Sequence, residues 1–271
     1  MSELLLFGVA ISAGFVGALL GLGGGIIVVP ALTLMYNVNI RYAIAASLIS
    51  VVATSSGAAA SFLKDSLTNL RLGVFLEIGT VVGAVAGFLL ASHIDAKALY
   101  FLFAFFILFS AVMMLRKRTE HAAFANHPWA DSLGLDSHYP DDRGVVRPYK
   151  VAHVPFALAV MMVAGVLSAL LGIGSGIFKV LAMDGAMKLP IKVSSATSNF
   201  MIGVTAAASA GAYYLRGDVR PEIAAPVALG IIIGSFLGAR AMNKIPAARL
   251  RQIFVGVLAV VAVQMVWKGL Q

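Results

Sequence analysis

The chain has 271 residues, 60% of them hydrophobic and only 12% charged, with a mean hydropathy of +0.94 and a formal charge of +8. A soluble domain carries about 25% charged residues, so this composition excludes an ordinary water-soluble fold and marks an all-α polytopic membrane protein. There is no cysteine, which rules out disulfides and thiolate chemistry, and the basic excess suits loops touching anionic lipid rather than nucleic acid.

The first apolar run extends over residues 4–36. Met1-Ser2-Glu3 brings no positive segment before it, so it is expected to stay in place rather than be cleaved as a signal peptide. A spanning helix needs about 20 apolar residues, which makes this run too long for one span and too short for two. Gly21-Leu22-Gly23-Gly24-Gly25 interrupts it. Each glycine costs a helix about 1 kcal/mol relative to alanine. The spacing therefore predicts a helix over 4–20, a break, and a short helix over 26–35. Clean spans follow over 42–63, 72–92 and 98–115, separated by polar turns.

Residues 116–150 are rich in charge, His and Pro and read as a cytoplasmic linker, folded or draped, opening with Arg116-Lys117-Arg118. Its histidines, His121, His127 and His138, and its aspartates, Asp131, Asp136, Asp141 and Asp142, match no closed metal-ligand spacing. No metal and no cofactor are expected.

After the linker the pattern returns at an offset of 151. Residues 165–176 match residues 14–25 at seven of twelve positions. Ile40-Arg41 returns as Ile191-Lys192, Thr54 as Thr205, and Gly79, Gly83 and Gly87 as Gly230, Gly234 and Gly238. The chain thus reads as a first membrane repeat, 1–115, the linker, 116–150, and a second repeat, 151–271. Each repeat has a glycine-broken segment and three spans. Lys and Arg prefer cytoplasmic loops. Inverted repeats put most of them inside and leave only Arg41, Lys97, Arg216, Arg220 and Lys268 outside, with both termini outside.

Paired breaks in two halves point to a transporter's central site. A helix start offers unpaired N–H groups to an anion, and glycine lets a ligand approach the backbone. The candidate binding residues are Gly21, Gly23, Gly24, Gly25 and Ile26 in the first half, with Gly172, Gly174, Ser175, Gly176 and Ile177 in the second. Ser47, Ser50, Thr54, Thr197, Ser198, Asn199 and Thr205 would supply polar groups from the spans behind. The alternative for the Ser and Thr side chains is bonding to their own helix backbone. For Gly79, Gly83, Gly87 and their copies, close helix packing is the better reading.

Lys179 begins the second short helix. A lysine in a membrane segment costs about 2.5–3.5 kcal/mol and marks a pathway or a paired site. Its sequence-local partner would be Asp184. Glu77, the only acid in a first-half span, and Asp184 are each either interfacial or proton-relaying.

At these residues the chain resembles the TauE/SafE sulfite exporter family. The resemblance rests on Gly21-Leu-Gly-Gly-Gly25 with Val29-Pro30-Ala31-Leu32, on Gly172-Ile-Gly-Ser-Gly176 with Ile177-Phe-Lys179-Val180, and on Ala196-Thr-Ser-Asn-Phe200. Ser175 replaces a customary glycine, and Leu181 stands where the first half has Pro30. The resemblance implies a secondary transporter in the bacterial inner membrane, an exporter of small sulfur-containing anions such as sulfite, thiosulfate or organosulfonates. It would work by alternating access, with proton or ion coupling open. The rival readings are a channel or permease for another small anion, a non-transporting membrane scaffold, and a membrane enzyme. The transporter reading makes the chain no enzyme and leaves the oligomeric state undefined.

Overall fold

The computed structural model describes residues 3–21, 23–64, 66–91, 93–115, 128–141, 144–172, 174–242 and 244–270. In chain order the helices are α1 (Glu3–Leu20), α2 (Gly25–Pro30), α3 (Ile40–Lys64), α4 (Leu70–Ala91), α5 (Ala96–Leu115), α6 (Pro128–Leu133), α7 (Val154–Leu171), α8 (Gly176–Val180), α9 (Ile191–Leu215), α10 (Pro221–Met242) and α11 (Ala247–Leu270). Four of them carry stretches long and apolar enough to cross a membrane: Ile40–Ala58, Leu70–Ala91, Val154–Leu171 and Pro221–Met242. The predicted breaks fall where the glycines are, between α1 and α2 and between α7 and α8.

The short helices α2 and α8 each widen into a π-helical turn, Ala31–Met35 and Leu181–Ala186. Pro30 has no N–H to give its preceding turn. A proline is not required for the widening, because the second segment widens at Leu181 without one. Both turns close alike, with Val38 N–H donating to Leu32 O at 3.1 Å and Leu189 N–H to Met183 O at 3.0 Å.

Helix α1 packs along α10, α4 along α7, α3 against both α9 and α10, and α5 against α11. Small residues make the first two contacts close. A Cβ on Gly79 would lie 3.0 Å from the Leu158 carbonyl oxygen, and one on Gly83 would overlap that of Met162. Gly230, Gly234 and Gly238 meet Phe7, Ile11 and Phe15 of α1 in the same manner. The opposite face of α4 exposes Val74, Ile78, Val82, Val85 and Leu89. Large apolar side chains outside and small or polar ones inside is the distribution that lipid, rather than water, selects. The chain is a multi-pass membrane protein.

Left-handed backbone positions recur at the same offset of 151. Gly21, Gly23, Gly24, Asn37 and Ser66 have positive φ, and so do Gly172, Gly174, Ser175, Lys188 and Gly217.

Linker residues from 128 onward form a small cap. Helix α6 is followed by a hairpin of β1 (Ser137–Pro140) and β2 (Val146–Tyr149), antiparallel with Ser137 opposite Tyr149. Ala130, Leu135, Tyr149 and Val151 pack in one apolar cluster with Leu72, Leu76, Met183 and Met187. Asn69 fastens it. Its amide donates to Leu135 O at 2.8 Å and to the Tyr149 hydroxyl at 3.0 Å, while its Oδ1 accepts Leu72 N–H at 3.1 Å as the N-cap of α4. Ala152 N–H donates to Met187 O at 3.3 Å at the same end. At another end of the helices, Lys268 donates to Asn37 Oδ1 at 3.4 Å, Arg41 to Ile94 O at 3.5 Å, and Arg220 lies 4.8 Å from the Tyr42 ring centroid. Arg116-Lys117-Arg118, His121 and His127 lie outside the described residues, and His138 sits in β1.

Candidate functional site

A helix break frees carbonyl groups that must find donors away from water. Here several of the donors come from the other half of the chain. The Ser47 hydroxyl of α3 donates to Gly172 O at 2.5 Å. The Ser198 hydroxyl of α9 donates to Gly21 O at 2.8 Å and to Gly176 O at 3.2 Å. Ser47 and Ser198, like Gly21 and Gly172, are 151 positions apart, so the two breaks are satisfied by exchanged serines. Asn199 Nδ2 adds a bond to Ala18 O at 2.8 Å, and the Tyr213 hydroxyl one to Ala169 O at 2.8 Å.

The breaks also meet. A Cβ on Gly25 would lie 2.7 Å from Gly172 O and 2.6 Å from Ser47 Oγ. Val51 of α3 fills the seam, its methyls 2.9 Å from a Cβ on Gly23, 3.0 Å from one on Gly25 and 2.5 Å from one on Gly174. Ile202 of α9 closes on Gly23 as well. In this conformation the described break glycines border packed protein, not an open hollow. Their bareness lets two backbones and a valine share one small volume.

Of the remaining candidates, Ser50 and Thr54 bond the carbonyls of Ala46 and Ser50 in their own helix, at 2.8 and 3.0 Å. Thr197 accepts the Asn69 N–H at 3.0 Å. Ser175 donates to Gly174 O at 2.6 Å from a left-handed backbone of φ +56°. Ile26 is buried at the start of α2. Ile177 contributes backbone to α8, and its side chain lies outside the described set.

Lys179 and Thr205 do come together, and they gather a third residue. Lys179 of α8 is fully buried and donates to Glu77 Oε2 of α4 at 2.9 Å and to Thr205 Oγ1 of α9 at 2.6 Å. The Thr205 hydroxyl donates in turn to Glu77 Oε1. Thr80 Oγ1 stands 3.4 Å from Thr205 Oγ1 and donates to Glu77 O at 3.0 Å. The lysine's carboxylate is thus 102 positions distant, on the other half, where sequence proximity had pointed to Asp184. Glu77 is 4% exposed, buried among these partners. A buried charge pair of this kind is tolerated only with its hydrogen bonds complete.

The sequence model described as "Sulfite exporter TauE/SafE" matches residues 6–265, which takes in both breaks and this cluster. The chain belongs to the TauE/SafE family. Among curated relatives it is similar to a "Probable membrane transporter protein YunE" of Bacillus subtilis, 28% identical over all of this chain and 99% of the relative. It is also similar to "Probable membrane transporter protein MJ0441" of Methanocaldococcus jannaschii, 28% identical over 96% of this chain and 94% of the relative. No solved structure matches it. Within this TauE/SafE chain the charged cluster is one-sided. The positions 151 away from Lys179, Glu77 and Thr80 are Val28, Ala228 and Ile231, and only Thr205 has a polar counterpart, Thr54. The sequence signal for Lys179 was its charge inside an apolar run. Glu77 carried the same signal, but its short distance from a span end obscured it.

Proposed function

We propose that this chain is a secondary transporter of small sulfur-containing anions, an exporter, in the bacterial inner membrane. Family membership supports the transporter class. One observation carries the substrate class: a fully buried lysine, Lys179, held with the Thr205 hydroxyl between the two halves of the chain. An ammonium and a hydroxyl 2.6 Å apart, both donating to the Glu77 carboxylate, suit a compact oxyanion. The glycine seam would let the halves slide or part around that point. Val51 and Ile202 close the seam in this conformation, so alternating access would require α3 and α9 to shift.

We also infer that the halves are duplicated and inverted. The paired left-handed positions, the exchanged serine bonds, and the reciprocal packing of α1 on α10 and α4 on α7 support this. The linker cap would then be cytoplasmic and the Asn37 end external.

The test is flux into proteoliposomes of the full chain, using labelled sulfite, thiosulfate, sulfoacetate, sulfate and lactate. At least one sulfur anion should move, and Lys179→Met should stop it. Flux by Lys179→Met at the wild-type rate, or none by the wild type with any of the five, overturns the reading. A thermal-shift panel with the same anions gives a parallel readout, since a ligand of the native form raises apparent stability.

A further inference from the structure

We propose that Glu77 is an exchangeable occupant of the anion site, taking up one proton each time a substrate anion replaces it at Lys179 and Thr205. The inference rests on the anion-transporter reading above. Both carboxylate oxygens of Glu77 are engaged, Oε2 by Lys179 Nζ at 2.9 Å and Oε1 by the Thr205 hydroxyl. A two-oxygen grip by one ammonium and one hydroxyl is also how the site would hold a small oxyanion, so internal and external anions compete for the same donors.

Charge balance ties this exchange to a proton. Lys179 and Glu77 sum to zero in the resting pair. A substrate anion on Lys179 leaves Glu77 as an uncompensated charge away from water, which is costly. A neutral carboxylic acid removes the Glu77 charge, leaving the site neutral with a monoanion and at a single negative charge with a dianion such as thiosulfate, and the proton arrives from the solvent side to which the site is then open. When the anion departs, the proton leaves by the same oxygen and Glu77 returns to Lys179.

No second described cation bonds Glu77. Helix α7, packed on α4, has no titratable side chain from Val154 to Leu171. Helix α9 has Lys192, Tyr213 and Tyr214 near its two ends. The cap brings Tyr149 into the Leu72–Leu76 cluster, and the π-turn after α8 carries Asp184. The positions matching Lys179 and Glu77 in the opposite halves are Val28 and Ala228, which form no equivalent pair, so the coupling is one proton per anion bound.

The experiment follows proton and thiosulfate movement together in proteoliposomes of the full chain, with a trapped pH dye. Thiosulfate carries no proton near neutral pH. Wild type should move protons with thiosulfate. Glu77→Gln, an isostere of the neutral acid, should keep thiosulfate-for-thiosulfate exchange and lose proton movement. Protons still moving in Glu77→Gln, or exchange lost while its melting and elution match wild type, overturns the proposal. Thiosulfate moving without protons in wild type overturns it and leaves the transporter reading standing. No anion of the five moving sinks both. If Glu77→Gln does not fold, infrared difference spectra of wild type decide. Thiosulfate addition should raise a protonated-carboxyl stretch, and its absence overturns the proposal.

Discussion

Lys179 shows how one side chain can tie distant segments together. Replacing it with Met strands Glu77 as a buried charge, and breaking one side of such a pair costs about 3–5 kcal/mol. Replacing both, as Lys179→Met with Glu77→Leu, should recover most of that, because apolar groups of similar volume often substitute for a buried pair without loss. Unfolding in detergent measures both. Equal destabilisation by the single and double changes would argue that the pair is not the stabilising unit. Ser175 offers a smaller test. A serine at φ +56° sits where glycine is at ease, so Ser175→Gly should hold or raise stability by up to about 1 kcal/mol. A clear loss would mean that its bond to Gly174 O outweighs the backbone strain. Lys179 was legible in the sequence because a charge within an apolar run is conspicuous. Its partner was not, since nothing local links residues 102 apart. Ser47 and Ser198 were legible as polar groups near the breaks. Their bonding to carbonyls of the opposite half depends on tertiary packing that a single sequence leaves open.

At the scale of elements, the glycine stripes of α4 and α10 were readable from their spacing of four, which puts them on one helix face. Gly83→Val should push α4 from α7 and cost about 2 kcal/mol or more, as overpacking does. Gly8→Ala, where an added Cβ meets nothing within 4 Å, should be neutral or slightly stabilising. Thermal melting in one detergent compares them, and a mild Gly83→Val would contradict the close packing. The π-turns after α2 and α8 were not legible, because the matched positions Pro30 and Leu181 share no residue type that would signal them. The linker cap was legible only as a folded or draped segment, because its order comes from Asn69 and an apolar cluster on the helices. Burial pushes the Tyr149 hydroxyl up from its ordinary value, the Asn69 hydrogen bond opposing in part. The folded cap therefore holds that proton more tightly than the unfolded chain. Its contribution is whole below about pH 10 and is lost as pH climbs through the raised value. The protection factors of β2 amides, with intrinsic base catalysis divided out, should fall above about pH 10, and Asn69→Ala should produce the same loosening near neutrality, at about 1–2 kcal/mol for the lost cap. Unchanged β2 exchange in Asn69→Ala would show the cap is held by its apolar contacts alone.

For the whole molecule, the question is how two like halves face a membrane that has two different sides. Asn37 and Lys188 are matched positions in the two halves, both exposed and both left-handed, each just before the long helix of its half. Their surroundings differ. Asn37 bonds Lys268, near Arg41 and the α4–α5 turn, whereas Lys188 adjoins Met187, which accepts the Ala152 amide beside the cap. Helix α3, 25 residues and so about 37 Å long, runs from the Asn37 end toward Asn69 and the cap. A helix of that length crosses the hydrocarbon core with some tilt. On the inverted arrangement proposed above the two matched positions lie on opposite faces, whereas parallel halves would put them on one. The chain has no cysteine, so Asn37→Cys and Lys188→Cys are clean single labels. An impermeant maleimide applied to intact cells should modify Asn37→Cys and spare Lys188→Cys until the cells are opened. Labelling of both from outside would break the inverted arrangement, and with it the case for two halves rocking about a shared seam. Labelling of Lys188→Cys alone would keep the inversion and reverse the molecule, moving the linker cap to the exterior against the basic-residue bias.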